Sequence, residues 1–145
     1  IYAEGETAKE TCARYTMLIK ENPIDIVCLG IGENGHIAFN DPWVADFNDN
    51  EVIKQVELDE VCRQQQVNDG CFKELDDVPK YALTLTVPTL FNAEYLFCTV
   101  PASTKADAVY KTVHNDINED LPATIMRNHD NAIMYCDNDS GAKLL

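Results

Sequence analysis

Apolar positions along this chain fall into short runs divided by polar turns, and their spacing switches between a helical period and a strand period. Between residues 4 and 21, Ala8, Cys12, Tyr15 and Ile19 recur on one helical face. Thr7 and Glu10 fit a capping box at its start, and Asn22-Pro23 ends it. Residues 24–29 form a largely apolar run that reads as a buried parallel strand. A partly alternating strand is expected over 52–58, and Asp59 caps a polar, amide-rich helix reaching Gln66. Residues 68–77 read as a turn-rich connector, 81–86 as a strand and 88–93 as a short helix. The continuous aromatic and β-branched run over 94–100 is a further buried strand. A helix is expected from Pro101 to about Val113, a short one over 122–127, a last strand over 132–136 and a closing helix over 140–145. Alternation of strands and helices predicts an α/β fold: an open, mostly parallel sheet with helices on both faces, a Rossmann-like three-layer sandwich, with residues 1–145 in a single domain.

With 145 residues, 46% of them hydrophobic, the chain can bury one core. It contains no apolar stretch long enough to span a bilayer and no signal peptide, so a soluble, cytoplasmic protein is expected. The net charge of −14 argues against nucleic acid and against anionic membrane surfaces as partners. It also requires any phosphate site to gather its few cations locally. Cysteines 12, 28, 62, 71, 98 and 136 show no C-x-x-C pairing and read as free, buried thiols in a reducing compartment. His114 and His129 lie in polar surroundings and read as surface residues, and no catalytic metal or cofactor is expected.

The chemistry is concentrated after the first strand. Gly30, Gly32 and Gly35 satisfy G-x-G-x-x-G, but a dinucleotide turn must open a long helix, and Pro42 interrupts the chain too soon for that. The glycines instead let the backbone turn sharply at a sheet edge where α/β folds bind ligands, with Gly32 and Gly35 placed to approach a substrate closely. His36 stands at that edge as a candidate proton-transfer group, and Asn34 and Asp41 are the nearest side chains able to fix its tautomer. A histidine that only hydrogen-bonds its own loop is the plainer alternative. Arg63 suits either a solvated helix face or a sugar phosphate. Lys105 sits in the first turn of a helix, where a cation opposes the dipole unless an anion joins it.

The segment from Gly30 to Asn40-Asp41-Pro42 resembles the signature of the glucosamine-6-phosphate deaminase (isomerase) family, close to L-G-x-G-x-D-G-H-I-A-F-N-E-P. The resemblance continues through Val78-Pro79-Lys80-Tyr81-Ala82-Leu83-Thr84 and Ala102-Ser103-Thr104-Lys105-Ala106. It implies conversion of glucosamine 6-phosphate, a phosphorylated amino sugar, to fructose 6-phosphate and ammonia. His36 would move the proton that opens the sugar ring, and Lys105 would help bind the phosphate. A homo-oligomer is left open. The chain departs from the signature at Asn34, where the family has aspartate, and at Asp41, where it has glutamate. Asparagine can orient an imidazole but cannot neutralise an imidazolium. The family's C2-abstracting aspartate and its first phosphate-binding turn lie upstream of these residues. The chain, which starts at Ile1, is therefore expected to lack the family's N-terminal portion. Two alternatives stand beside this reading. The sister 6-phosphogluconolactonases hydrolyse a lactone and share G-x-G-x-D-G-H, but continue T-A-S-L-F-P. A non-catalytic sugar-phosphate sensor is kept in view by Asn34.

Overall fold

The computed structural model describes residues 4–145. Helix α1 (Ala8–Glu21) starts at the expected capping box: the Thr7 hydroxyl accepts from the Glu10 amide, and the Glu10 carboxylate accepts from the Thr7 amide at 2.9 Å. Ala8, Cys12, Tyr15 and Ile19 are half-buried on its inner side, while Met17 and Leu18 face out. Strand β1 (Ile26–Leu29) follows, then β2 (Ile53–Glu57), α2 (Glu60–Asn68), β3 (Tyr81–Leu85), α3 (Val87–Phe91), β4 (Tyr95–Val100), α4 (Ala106–His114) and β5 (Ala132–Cys136). Short 3₁₀ turns occupy Leu75–Asp77, Ser103–Lys105 and Pro122–Asn128.

The expected parallel sheet is formed by β1, β4 and β5 in the order β1-β4-β5. Strands β2 and β3 do not join it. They pair antiparallel with each other, Ile53 opposite Leu85 and Glu57 opposite Tyr81. Lys54, Gln55 and Glu57 leave β2 too polar for a parallel strand covered on both faces, and an antiparallel pair tolerates that. The result is a mixed α/β, Rossmann-like architecture with an antiparallel ribbon beside the parallel sheet.

One face of the parallel sheet carries the main core. Val27, Leu96, Cys98 and Val100 pack against Val87 and Leu90 of α3, Ala108 and Val109 of α4, and Ala123, Ile125 and Met126. Full burial of residues such as Leu96 and Val109 contributes about 1.5–3 kcal/mol each. The opposite face presents Ile26, Tyr95, Ile133 and Tyr135 exposed, with Phe97 half-buried. So β1, expected to be buried on both sides, alternates inward and outward. A smaller cluster of Val56, Leu58 and Cys62 lies under the ribbon against Phe39, Val44 and Ala82.

Two further expectations are corrected. Residues 140–145 form turns and no helix: the segment is too short to repay nucleation, and the Ser140 hydroxyl is committed to the Val100 carbonyl at 2.5 Å. All six cysteines are free as expected, but Cys28, Cys71 and Cys136 are exposed, Cys28 because it belongs to the outward face of β1. Among the described residues no helix is long and apolar enough to cross a membrane.

The ribbon matters to the site because Asn40 ties the glycine turn to it. Asn40 is fully buried, and its amide donates to the Leu85 carbonyl at 2.8 Å and the Ile37 carbonyl at 3.0 Å, while the Phe39 amide donates to the Thr84 hydroxyl at 3.2 Å. Replacing Asn40 by alanine removes both of these side-chain bonds, to Ile37 within the turn and to Leu85 of the ribbon. The expected cost is about 1–3 kcal/mol, read as a fall in the urea unfolding midpoint at unchanged slope. An unmoved midpoint would show that the turn is held some other way.

Candidate active site

The turn leaving β1 folds back on itself through two backbone bonds, Gly35 N–H to the Gly32 carbonyl and Gly32 N–H to the His36 carbonyl, both 3.0 Å. Neither glycine can be replaced without moving a neighbour. A Cβ on Gly32 would lie 2.2 Å from the His36 ring, and one on Gly35, at φ +81°, would lie 2.4 Å from Leu121 Cδ1. The glycines thus make room inside the protein: the imidazole lies over Gly32, and the Pro122–Asn128 turn closes over Gly35, whose carbonyl accepts from the Ala123 amide at 2.9 Å. No helix follows the turn before β2, as the position of Pro42 implied.

His36, Asn34 and Asp41 come together. His36 Nδ1 lies 3.1 Å from Asp41 Oδ1, with 13% of the histidine side chain and 1% of the aspartate side chain exposed. The contact is at ion-pair distance, off the line of an ideal hydrogen bond, and Nδ1 has no better partner. Asn34 does not touch the ring. Its amide nitrogen donates to Asp41 Oδ1 at 2.8 Å and its oxygen accepts from the His36 backbone amide at 3.1 Å. The group that orients the imidazole is therefore Asp41, and Asn34 holds both partners in register. Burial pushes the Asp41 carboxyl up, but the bonds from His36 and Asn34, the His36 charge and the neighbouring Cys62 thiol outweigh it and leave the group below its ordinary value. Burial, reinforced by the Asp41 and Asp59 charges, pushes Cys62 itself up to about 12, so this thiol stays protonated. Its place beside Asp41 was not foreseen, because helical spacing marks Cys62 only as a core residue.

A cavity of about 340 Å³ opens beside the site between the glycine turn and α2. His36, Asn34 and Glu33 line one side, and Glu60, Gln64 and Gln65 line the other. The amide-rich character of α2 was visible in the sequence, and two of its glutamines do face this space. A second hollow of about 370 Å³, mostly apolar, lies on the other side of the same histidine, against Tyr15, Phe39, Leu83 and Leu85. His36 forms part of both walls.

Arg63 lines neither hollow. It is buried, and its guanidinium donates to the Val78 carbonyl at 3.0 Å and the Leu75 carbonyl at 2.6 Å, fastening the connector after α2. That engagement occupies two of its nitrogens, Nε and Nη2, with backbone carbonyls. Lys105 also lies outside both linings, at the end of the Ser103–Lys105 turn leading into α4. The turns after β1 and β4 share the carboxyl edge of the sheet, with Gly30 packed on the Thr99 carbonyl. Among the described residues Lys105 has no carboxylate partner. His129 is half-buried, its Nε2 2.9 Å from the Ala93 carbonyl, and His114 is exposed beside Tyr110. Among the described residues no cluster of three or more histidine, cysteine or acidic side chains could hold a metal ion.

Because the folded Asp41 titrates below its unfolded value, it contributes stability that is present above the ordinary aspartate value of 3.8 and is lost as pH falls through the folded value. The difference in unfolding free energy between the parent and Asp41→Asn is expected to be largest above about pH 5 and to shrink as the pH is lowered. A difference that stays flat over that range would contradict a charged, hydrogen-bonded Asp41.

Comparison with known proteins places these features. The family model described as glucosamine-6-phosphate isomerases/6-phosphogluconolactonase matches residues 1–135. A glucosamine-6-phosphate deaminase of Bacillus cereus (strain B4264) is 36% identical over 132 residues, covering 91% of this chain and 48% of that protein. The solved structure of a monomeric glucosamine-6-phosphate deaminase superposes with a TM-score of 0.88 at 31% identity, covering 96% of this chain and 56% of the other. The 6-phosphogluconolactonase of Trypanosoma brucei, at 16% identity, 100% and 57% coverage and a TM-score of 0.70, shares the fold. The chain spans about half the length of the curated relatives it matches.

Proposed function

The chain belongs to the glucosamine-6-phosphate isomerase/6-phosphogluconolactonase family, and from that footing we propose that its His36 site serves the conversion of glucosamine 6-phosphate to fructose 6-phosphate and ammonia. The observation that carries the reading is the His36–Asp41 contact at the carboxyl edge of the sheet. With Nδ1 against Asp41 Oδ1 at 3.1 Å, the tautomer with the proton on Nδ1 is favoured and Nε2 is left to work on a ligand. The relatives above 30% identity support a deaminase over a lactonase, as does the sequence Ile37-Ala38-Phe39-Asn40-Asp41-Pro42.

In this reading His36 Nε2 takes the proton from the anomeric hydroxyl and delivers it to the ring oxygen as the C1–O5 bond breaks, giving the open aldehyde. A base then removes the C2 proton, and the electron pair forms the C1–C2 double bond of an enolamine as the aldehyde oxygen is protonated. Return of a proton to C1 gives the ketimine, and water adds at C2 to expel ammonia. The resemblance assigns the C2 base to a region upstream of these residues. Glu33, Glu60 and the α2 amides give the 340 Å³ cavity a lining suited to an amino sugar's ammonium and hydroxyls. Among the described residues no lysine or arginine lines it, so this reading gives the phosphate to Lys105 at the same sheet edge.

The test is ammonia release from glucosamine 6-phosphate by the protein expressed from its complete reading frame, beside His36→Ala and a lactone-hydrolysis control. Release reduced at least about 100-fold by His36→Ala supports the proposal. Sugar-phosphate binding without release would leave a sensor, and turnover of the lactone alone would make the protein a lactonase.

A further inference from the structure

The segment after β5 is tied to the loop that carries Lys105 by contacts that span some 35 residues of sequence. Asp137 Oδ2 accepts the Ala102 backbone amide at 3.0 Å, and the Ala102 carbonyl in turn accepts the Lys105 amide at 3.1 Å. The other carboxylate oxygen accepts the Ser140 amide at 2.7 Å and the Asp139 amide at 3.1 Å. Ser140, fully buried, closes the arrangement by donating its hydroxyl to the Val100 carbonyl at the end of β4. Further along, Lys143 pairs with Asp107 in the first turn of α4 at 2.5 Å. The turn held in this way is not one the backbone adopts freely. Ala102 sits at φ +80°, ψ +149°, a region that a residue with a Cβ enters only when its surroundings enforce it.

We propose that Asp137 is a positioning residue for anion binding: it locks the Ala102–Lys105 turn so that the Lys105 ammonium, which has no carboxylate partner among the described residues, is presented at the carboxyl edge of the sheet. The inference rests on the reading of Lys105 as the phosphate ligand. Ionised throughout the working range, with its pKa drawn down to about 2 by the backbone amides of Ser140 and Ala102, Asp137 saturates its charge on N–H groups. Both of its oxygens are turned to backbone N–H groups of the segments it joins.

Protein from the complete reading frame, in the parent form and as Asp137→Ala, Lys105→Ala and the double variant, is titrated by calorimetry with glucosamine 6-phosphate and with inorganic phosphate. Asp137→Ala is expected to weaken both by about five-fold or more, and to add nothing once Lys105 is already alanine. A role confined to general stability would instead weaken binding by the same factor in both backgrounds, and that result overturns the proposal. Unchanged affinity in Asp137→Ala while Lys105→Ala weakens binding also overturns it, and leaves the phosphate assignment standing. Unchanged affinity in Lys105→Ala removes both together. Should Asp137→Ala not fold, Asp137→Asn keeps the volume and one acceptor and is read in the same way, its effect smaller but still absent in the Lys105→Ala background.

Discussion

Everything at the site depends on a space that only a missing side chain can provide. The His36 imidazole occupies the volume where a Gly32 Cβ would be, and from there its Nδ1 reaches Asp41 Oδ1. The surrounding structure keeps that arrangement from relaxing. Leu121 packs where Gly35 has no Cβ, Asn40 anchors the turn to the β2–β3 ribbon, and Asn34 bonds the His36 backbone and the Asp41 carboxylate at once. Each of these fixes one end of a short loop that would otherwise have many conformations, so orientation of the ring is settled before any ligand arrives.

The exchange of a family aspartate for Asn34 takes on a physical meaning in this geometry. A carboxylate at position 34 would stand 2.8 Å from the Asp41 carboxylate, and two such charges at that distance repel unless a proton or cation lies between them. The amide turns that repulsion into a donor–acceptor bond and leaves one ionised group, Asp41, facing the imidazole. A chain of net charge −14 has reason to place its remaining polar resources carefully. Glu33, Glu60 and several amides line the cavity beside His36, and Lys105, with no carboxylate partner among the described residues, stands after β4.

Local signals in the sequence identified what local physics decides. The Thr7–Glu10 box, the Asp59 cap, the stop at Asn22-Pro23 and the clustering of His36 with Asn34 and Asp41 all follow from residues within a few positions of one another. What escaped depends on distant partners. Pairing of β2 with β3 outside the parallel sheet, the exposure of Cys28, and the burial of Arg63 on the Leu75 and Val78 carbonyls are settled by tertiary contacts that no periodicity encodes. Asn34 differs from its expectation within its own loop: its adjacency suggested contact with the ring, whereas its bond runs to Asp41. The Asp137–Ala102 tie joins residues 35 apart and leaves no mark in either segment.

The central claim is that Asp41 fixes His36 as the Nδ1-protonated tautomer, leaving Nε2 free for substrate. Nitrogen-15 NMR of the imidazole at a pH where the ring is neutral tests it most directly. The account predicts a protonated Nδ1 and a bare, pyridine-like Nε2 in the parent, with that preference lost in Asp41→Asn. A proton resident on Nε2 in the parent, or a tautomer indifferent to Asp41→Asn, would contradict it.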